Sequence, residues 1–175
     1  ARGRTTIVAT GTGSGKTECF LYPIISRCLQ LRDENAPPGI VAVLVYPMNA
    51  LAEDQLGRLR RLLVGTGISF GMYVGKTSEY KEQASGERLK PCAGVADYDA
   101  EVRRLRENKI DRPVHPHEER VTRQEMRTAD RQPRILLTNV KQLELLLTRA
   151  QDTEPFHGAR LDNLVLDEAH TFSGA

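Results

Sequence analysis

Apolar residues along the chain fall into continuous β-branched runs and into stretches with helical spacing. A run such as "IVAVLVYP" is typical of a strand buried on both faces of a parallel sheet, whereas apolar residues three and four positions apart predict one buried face of a helix. Strands are predicted at 5–9, 40–47, 68–75, 134–139 and 161–170. Helices are predicted after the first, second and fourth of these strands. The second helix is expected to turn these residues inward: Leu51, Leu56, Leu59 and either Leu62 or Leu63.

The regular alternation of strands and helices predicts an α/β fold with a mainly parallel central sheet flanked by helices. The segment 78–134 interrupts this alternation, because it is highly charged with nearly equal signs and contains four prolines. We expect it to be a charged insertion on the surface, with one or two helices near 97–108 and 122–128. Within it, "HPH" at 115–117 is expected to be a solvated loop rather than a metal site.

Composition limits the possible classes of protein. The 175 residues suit one ordinary domain. A net charge of +2 is too small to argue for nucleic acid by itself. No apolar run approaches the roughly 20 residues that cross a bilayer, so a cytoplasmic location is expected. The three cysteines form no CxxC pair, and neither a disulfide framework nor a zinc site is indicated.

The stretch "ATGTGSGKTE" at 9–18 predicts a phosphate-binding loop between a strand and a helix. Glycines let backbone N–H groups turn around phosphate oxygens, and the following helix presents its positive end. Lys16 would reach the β- and γ-phosphates, and the Thr17 hydroxyl would bind Mg²⁺. The predicted nucleotide-binding residues are Thr10, Gly11, Thr12, Gly13, Ser14, Gly15, Lys16 and Thr17. Thr10 stands where the strict motif has glycine, and a chance glycine turn is the alternative.

A carboxylate pair at the end of the last predicted strand, in "LVLDEAH", would complete such a site. Asp167 would hold Mg²⁺ through water, and Glu168 would act as the general base that polarises the attacking water. Taken alone, these two residues could equally be a helix cap or a solvated strand end. Together with the glycine loop they predict hydrolysis of a nucleoside triphosphate.

At these residues the sequence resembles the superfamily 2 helicases of the DEAD/DEAH type. "TGTGSGKT" is similar to their motif I, "YPMNALAEDQ" to motif Ia, "YVGKT" to the GG-type motif, "LLTN" to motif Ib and "LDEAH" to motif II. The resemblance implies a RecA-like P-loop domain, the first of two motor domains, which binds ATP and lies along one strand of DNA or RNA. The stretches "YPMNALAEDQ" and "LLTNVKQLELLL" are most similar to those of large bacterial multidomain helicases of the RecQ-related and Lhr-related kind.

The resemblance also assigns roles to residues outside the ATP site. In the family, motifs Ia, GG and Ib contact the nucleic-acid backbone, which here implies Asn49, Gly75, Lys76, Thr77, Thr138 and Asn139. For Asn49 and Asn139, helix capping is an equal alternative, and one residue can do both. His170 would couple the nucleotide site to nucleic acid and to the second motor domain; the alternative is a partly buried histidine at a strand end.

The resemblance implies that 1–175 is a first motor domain, incomplete at its C-terminus. Motif III and a second RecA-like domain, with its arginine finger, would lie outside it, and we expect these residues alone to hydrolyse almost no ATP. The expected partner is nucleic acid, with DNA favoured over RNA. Two other readings stay open: a translocase that moves on duplex DNA without separating strands, and a nucleic-acid-binding module in which ATP serves only as a switch.

Overall fold

Five parallel strands form the central sheet of the computed structural model, which describes residues 5–9, 15–149, 153–156 and 159–172. In chain order the strands are β1 (Ala42–Tyr46), β2 (Phe70–Met72), β3 (Glu87–Arg88), β4 (Val114–His115), β5 (Glu119–Arg120), β6 (Ile135–Asn139) and β7 (Asn163–Leu166). The sheet has the order β5-β2-β6-β1-β7, and β3 pairs with β4 in a separate ribbon. All these pairings are parallel. The predicted α/β fold is confirmed.

Helices occur where the apolar spacing predicts them. They are α1 (Lys16–Asp33), α2 (Asn49–Leu63), α3 (Val95–Glu107), α4 (Arg123–Arg127) and α5 (Val140–Thr148). Both helices expected within the insertion are present, as α3 and α4. Among the described residues, none of the helices is both long and apolar enough to cross a membrane.

The core has two layers, one on each face of the sheet, and β1 contributes to both. Leu44 and Tyr46 pack with α1 and α2, whereas Val43 and Val45 pack on the opposite face with Tyr73. Because successive side chains of a strand point to opposite faces, every residue of β1 is buried. This explains why its sequence is apolar without alternation.

The segment 5–9 is not the buried strand that its apolar run predicts. All five residues are exposed, and the Ile7 side chain is 88% exposed. The backbone groups of a strand need a neighbouring strand, and none of the described strands pairs with this segment. In the described part of the chain β7 is one edge strand of the sheet, at the end opposite β5, and its Leu164 and Leu166 are exposed.

The inward face of α2 also differs from the prediction. Leu51 is exposed, whereas Leu56 and Leu59 are buried as expected, and of the two alternatives Leu63 is buried and Leu62 is exposed. The buried stripe consists of Ala52, Leu56, Leu59 and Leu63. Ala52 takes the place of Leu51 because it lies four residues before Leu56 and therefore on the same face of the helix.

The insertion is not a solvated surface throughout, because it adds strand β5 to the central sheet and buries charged groups. Glu119 of β5 accepts two hydrogen bonds of 2.8 Å from Arg60 of α2. Its Oε2 atom also lies 2.9 Å from Nδ1 of His115. The expectation of a solvated loop is therefore wrong for His115, which is 6% exposed, while His117 is exposed.

Burial by itself would raise the pKa of Glu119, but the hydrogen bonds from Arg60 and His115 outweigh burial and hold that pKa below its ordinary value. The Glu119 carboxylate therefore stabilises the fold above the pKa of an unfolded glutamate, about 4.3. This stabilisation is lost as the pH falls through the lower pKa of the folded state. The anchor between the insertion and α2 thus depends on an ionised Glu119.

We expect Glu119→Gln to lower the free energy of unfolding at pH 7 by about 3–5 kcal/mol, because Arg60 would remain buried without its counter-charge. Urea unfolding at several pH values measures the effect, and the difference from wild type should shrink as the pH falls below about 4.3, the ordinary glutamate pKa, because the unfolded wild-type chain then gains a proton that the folded Glu119 resists. Glu101→Gln is the matched control, since Glu101 pairs with Arg104 on the surface. Equal effects of the two variants would contradict a buried anchor.

Candidate functional site

The candidate functional residues lie at one edge of the central sheet. Asn49 follows β1, the segment 75–77 follows β2, Asn139 ends β6, and Asp167 follows β7. Since β2, β6, β1 and β7 are consecutive parallel neighbours, their carboxyl ends meet at the same edge. In open α/β sheets this is the edge that binds ligands.

The start of α1 supplies the other candidate nucleotide-binding residues. Gly15 precedes the helix with φ of 79°, a left-handed conformation that glycine adopts without strain. Gly15 makes no side-chain cap hydrogen bond, and N–H groups at the start of a helix can bind an anion. Lys16 and Thr17 are the first two helical residues. The remaining predicted loop residues lie outside the described residues: Thr10, Gly11, Thr12, Gly13 and Ser14.

The carboxylates sit in a tight turn at the end of β7. The Asp167 N–H donates to the Val45 carbonyl at 3.0 Å, which continues the pairing with β1. Asp167 Oδ1 in turn accepts the N–H of Glu168 at 3.1 Å. Glu168 has φ of 50°, a conformation that is uncommon for any residue except glycine. The strained turn projects two carboxylates from one strand end.

His170 is not a buried strand-end residue, because its side chain is 77% exposed. It lies in a short 3-10 turn, Ala169–Phe172, directly after the carboxylates. Its Nδ1 atom is 3.4 Å from Oε2 of Glu168. The structure thus brings His170 together with Glu168.

Tyr46, at the end of β1, links the two halves of the edge and was not singled out from the sequence. Burial raises the pKa of its hydroxyl well above the ordinary value, the charge of Asp167 raises it further, and Arg58 opposes the shift. Arg58 of α2 is the ion-pair partner of Glu18 in the first turn of α1. Tyr46 therefore experiences charges from both sides of the candidate nucleotide site.

The groups at this edge fit a magnesium ion. Carboxylate and hydroxyl oxygens, here from Asp167 and Thr17, are hard ligands that Mg²⁺ prefers. Among the described residues the Asp167 carboxylate forms no ion pair. The buried hydroxyl of Tyr46, near Asp167, has no hydrogen-bond partner in the described part of the chain. Both observations suit a site that receives a hydrated cation.

Asn49 and Asn139 are joined across the edge. Asn139 Oδ1 caps α5 by accepting the Gln142 N–H at 2.7 Å, which confirms its predicted capping role. Asn139 Nδ2 donates to Oδ1 of Asn49 at 2.6 Å. Capping by Asn49 is wrong, because Met48 occupies the cap position of α2 and Asn49 is its first helical residue.

The loop 74–77 after β2 is shaped by the hydroxyl of Thr77. Thr77 Oγ1 donates to the Met72 carbonyl at 2.8 Å and accepts the Val74 N–H at 2.9 Å. Gly75 and Lys76 are exposed at its tip, and Lys76 forms an ion pair with Glu53 of α2.

Thr138 supports this loop from beneath. Its side chain is fully buried, and Oγ1 donates to the Tyr73 carbonyl at 2.7 Å. Of the six residues predicted to contact nucleic acid, Thr138 is therefore the one whose side chain faces the interior. It joins β6 to the residue that precedes the loop.

Comparisons with known proteins place the chain in a family. A family model described as DEAD/DEAH box helicase matches residues 1–94. Druantia protein DruE of Escherichia coli (strain UMEA 4076-1) is 32% identical, over 97% of this chain and 13% of DruE. The ATP-dependent RNA helicase rok1 of Aspergillus terreus is 40% identical over 35% of the chain and 8% of its own length.

A further relative is the ATP-dependent rRNA helicase SPB4 of Coccidioides immitis, which is 34% identical over 49% of the chain and 13% of its own length. The chain thus spans 13% or less of each of these relatives. No solved structure matches the chain.

We expect Thr77→Val to loosen the loop 74–77, because valine has the shape of threonine but lacks both hydrogen bonds. A typical hydrogen bond contributes about 1 kcal/mol, so exchange of the Val74 amide hydrogen should quicken by roughly fivefold. Hydrogen–deuterium exchange measures the rate. Thr77→Ser keeps the hydroxyl and is the matched control; an unchanged rate in Thr77→Val would show that the hydroxyl does not shape the loop.

Proposed function

Because the chain belongs to the DEAD/DEAH box helicase family, we propose that it is the ATP-binding motor part of a nucleic-acid-dependent ATPase that unwinds or moves along nucleic acid. The observation that carries this proposal is that the carboxylates after β7 lie at the same sheet edge as the residues that follow β1, β2 and β6. The nucleotide set comes from α1 and β7, and the nucleic-acid set follows β1, β2 and β6. Because the same sheet carries residues of both sets, movement at one set can be transmitted to the other.

In the nucleotide set, Lys16 and the N–H groups at the start of α1 bind the phosphates. The Thr17 hydroxyl and the Asp167 carboxylate hold Mg²⁺, which neutralises phosphate charge when it is bound. Glu168 accepts the proton of the attacking water. The exposed turn at the end of β7 supports this role, because it leaves Glu168 open to solvent beside His170. His170 couples this carboxylate to the nucleic-acid side.

In the nucleic-acid set, Asn49, Asn139 and the loop tip at Gly75 and Lys76 face the same edge of the sheet. Amide groups, exposed backbone N–H groups and one lysine bind phosphates without reading bases. Thr77 and Thr138 act on this surface indirectly, through the hydrogen bonds that shape and support the loop.

We propose DNA rather than RNA as the polymer. The relatives named RNA helicases match less than half of this chain, whereas the relative that matches 97% of it carries no such name. Separation of strands is part of the proposal, and a strand-displacement assay on partial duplexes distinguishes it from movement along intact duplex DNA.

We expect Lys16→Ala to abolish ATP turnover in the intact protein, because the phosphates lose their cation. Glu168→Gln should keep nucleotide binding but lower turnover by about 10²–10⁴-fold, the contribution of a general base. ATP hydrolysis is measured without nucleic acid, with single-stranded DNA and with RNA, and binding is measured with a fluorescent ATP analogue.

Lys109→Ala is the matched control, since Lys109 is an exposed lysine of the insertion. Wild-type turnover that is equal with and without nucleic acid would overturn the motor proposal. Stimulation by RNA alone would overturn the choice of DNA, and wild-type turnover in Glu168→Gln would remove that residue from the chemistry.

A further inference from the structure

Arg123 of the charged insertion lies against the loop 74–77. Its Nη2 atom donates to the carbonyls of Val74 and Gly75, both at 2.9 Å. Its guanidinium carbon is 5.1 Å from the ring centre of Tyr73, which is fully buried. One side chain from the insertion therefore holds both the backbone of the loop and the ring of the residue before it.

The backbone of the insertion fixes Arg123 in this place. The N–H of Arg123 donates to the Ser78 carbonyl at 2.9 Å, and the N–H of Gln124 donates to the Glu79 carbonyl at 3.2 Å. One turn further along α4, Arg127 donates to Glu79 Oε1 and to the Tyr73 hydroxyl, each at 2.6 Å. The start of α4 is thus tied to the residues that directly follow the loop, and the Arg123 side chain is positioned in advance of any ligand.

The cations around the loop differ in their counter-charges. Lys76 pairs with Glu53, and Arg127 pairs with Glu79. Within the described part of the chain, Arg123 has no carboxylate partner, and its known acceptors are neutral carbonyls. Arg123 therefore leaves a full positive charge beside the exposed tip of the loop.

The three nitrogen atoms of the Arg123 guanidinium differ in their hydrogen bonding. Nη2 is occupied by the two carbonyls, and Nε is buried without a hydrogen-bond partner among the described residues. Nη1 is not one of the buried atoms and makes no hydrogen bond to a described residue. A charged donor is thus open on the same surface as Gly75 and Lys76.

We propose that Arg123 is a phosphate-binding residue of the nucleic-acid interface, with Nη1 donating to a backbone phosphate of a strand that lies over the loop 74–77. Nη2 meanwhile keeps the loop in the shape that receives that strand. The inference rests on the proposed function and extends it, because it makes the insertion part of the nucleic-acid interface. Guanidinium groups suit this task, since they remain charged and donate in several directions.

The test compares Arg123→Gln, Arg123→Lys and the matched control Arg112→Gln in the intact protein, with single-stranded oligonucleotides at several salt concentrations. Arg112 is an exposed arginine of the same insertion, beside the cavity that α3 lines. Arg123→Gln should weaken binding about tenfold, as expected for the loss of a charged hydrogen bond. It should also lower the slope of log affinity against log salt by about 0.7, the value for one single-strand phosphate.

Arg123→Lys should keep the wild-type slope with a smaller loss of affinity, and Arg112→Gln should change neither quantity. ATP turnover without nucleic acid should remain at the wild-type level in Arg112→Gln. A weaker affinity of Arg123→Gln with an unchanged salt slope would overturn the phosphate contact, because it is the result expected of an arginine that only holds the loop.

A second measurement needs no variant. NMR spectroscopy of the arginine side chains should show a shift of the Arg123 Nη1 resonance when an oligonucleotide is added to the wild-type protein. An unchanged Nη1 resonance would overturn the inference while oligonucleotide binding still stood. A wild-type protein that binds no nucleic acid would overturn the proposed function and, with it, this inference.

Discussion

Parallel pairing of β1 with β6 on one side and with β7 on the other holds the candidate site together. Tyr46 is aligned with Asn139, and Val45 with Leu166. The residues that follow these positions therefore all lie at the carboxyl edge of the sheet. A slip of one residue would turn the side chains of a strand to the opposite face. Burial of β1 on both faces resists such a slip, because each face packs into its own apolar layer.

The insertion depends on the same sheet through two polar anchors near β2. On one side, Glu119 of β5 is bound by Arg60 of α2. On the other, Arg123 is bound to the carbonyls after β2 and stacks on Tyr73. Breaking one partner of a buried charged pair is costly, so these contacts fix the insertion in one orientation. The segment is consequently a structural part of the domain edge and not an appended loop.

Much of this fold can be predicted from the sequence, because its signals are local. A continuous apolar run predicts a strand such as β1, and helical spacing predicts α1 and α5. The failures have non-local causes. The segment 5–9 has the apolar run of a strand but no paired neighbour among the described strands. His115 is buried because of Arg60 and Glu119, and Arg60 lies 55 residues away in the sequence.

In the candidate site, too, the residues with local sequence signals could be predicted and those without them could not. The glycine loop and the carboxylate pair have local patterns, whereas the inward direction of Thr138 has none, since β6 is buried on both faces and shows no polar alternation. Tyr46 and Arg123 were missed for a similar reason, because their importance comes from contacts between distant segments. The one local signal for Arg123 was its spacing of four residues from Arg127 on a short predicted helix, which places both guanidinium groups on one side.

Lys76 and Arg123, the two cations at the loop 74–77, differ in whether they must give up a partner in order to bind a phosphate. Lys76 must exchange Glu53 for a phosphate, and since this ion pair is exposed, the exchange costs little. Glu53, once released, adds a negative charge close to the phosphate. Arg123 requires no exchange, because its acceptors are neutral carbonyls that it can keep while it binds. The charge of Glu53 partly cancels the attraction between Lys76 and a phosphate. Arg123 has no such partner among the described residues, so its attraction for a phosphate is not reduced in this way.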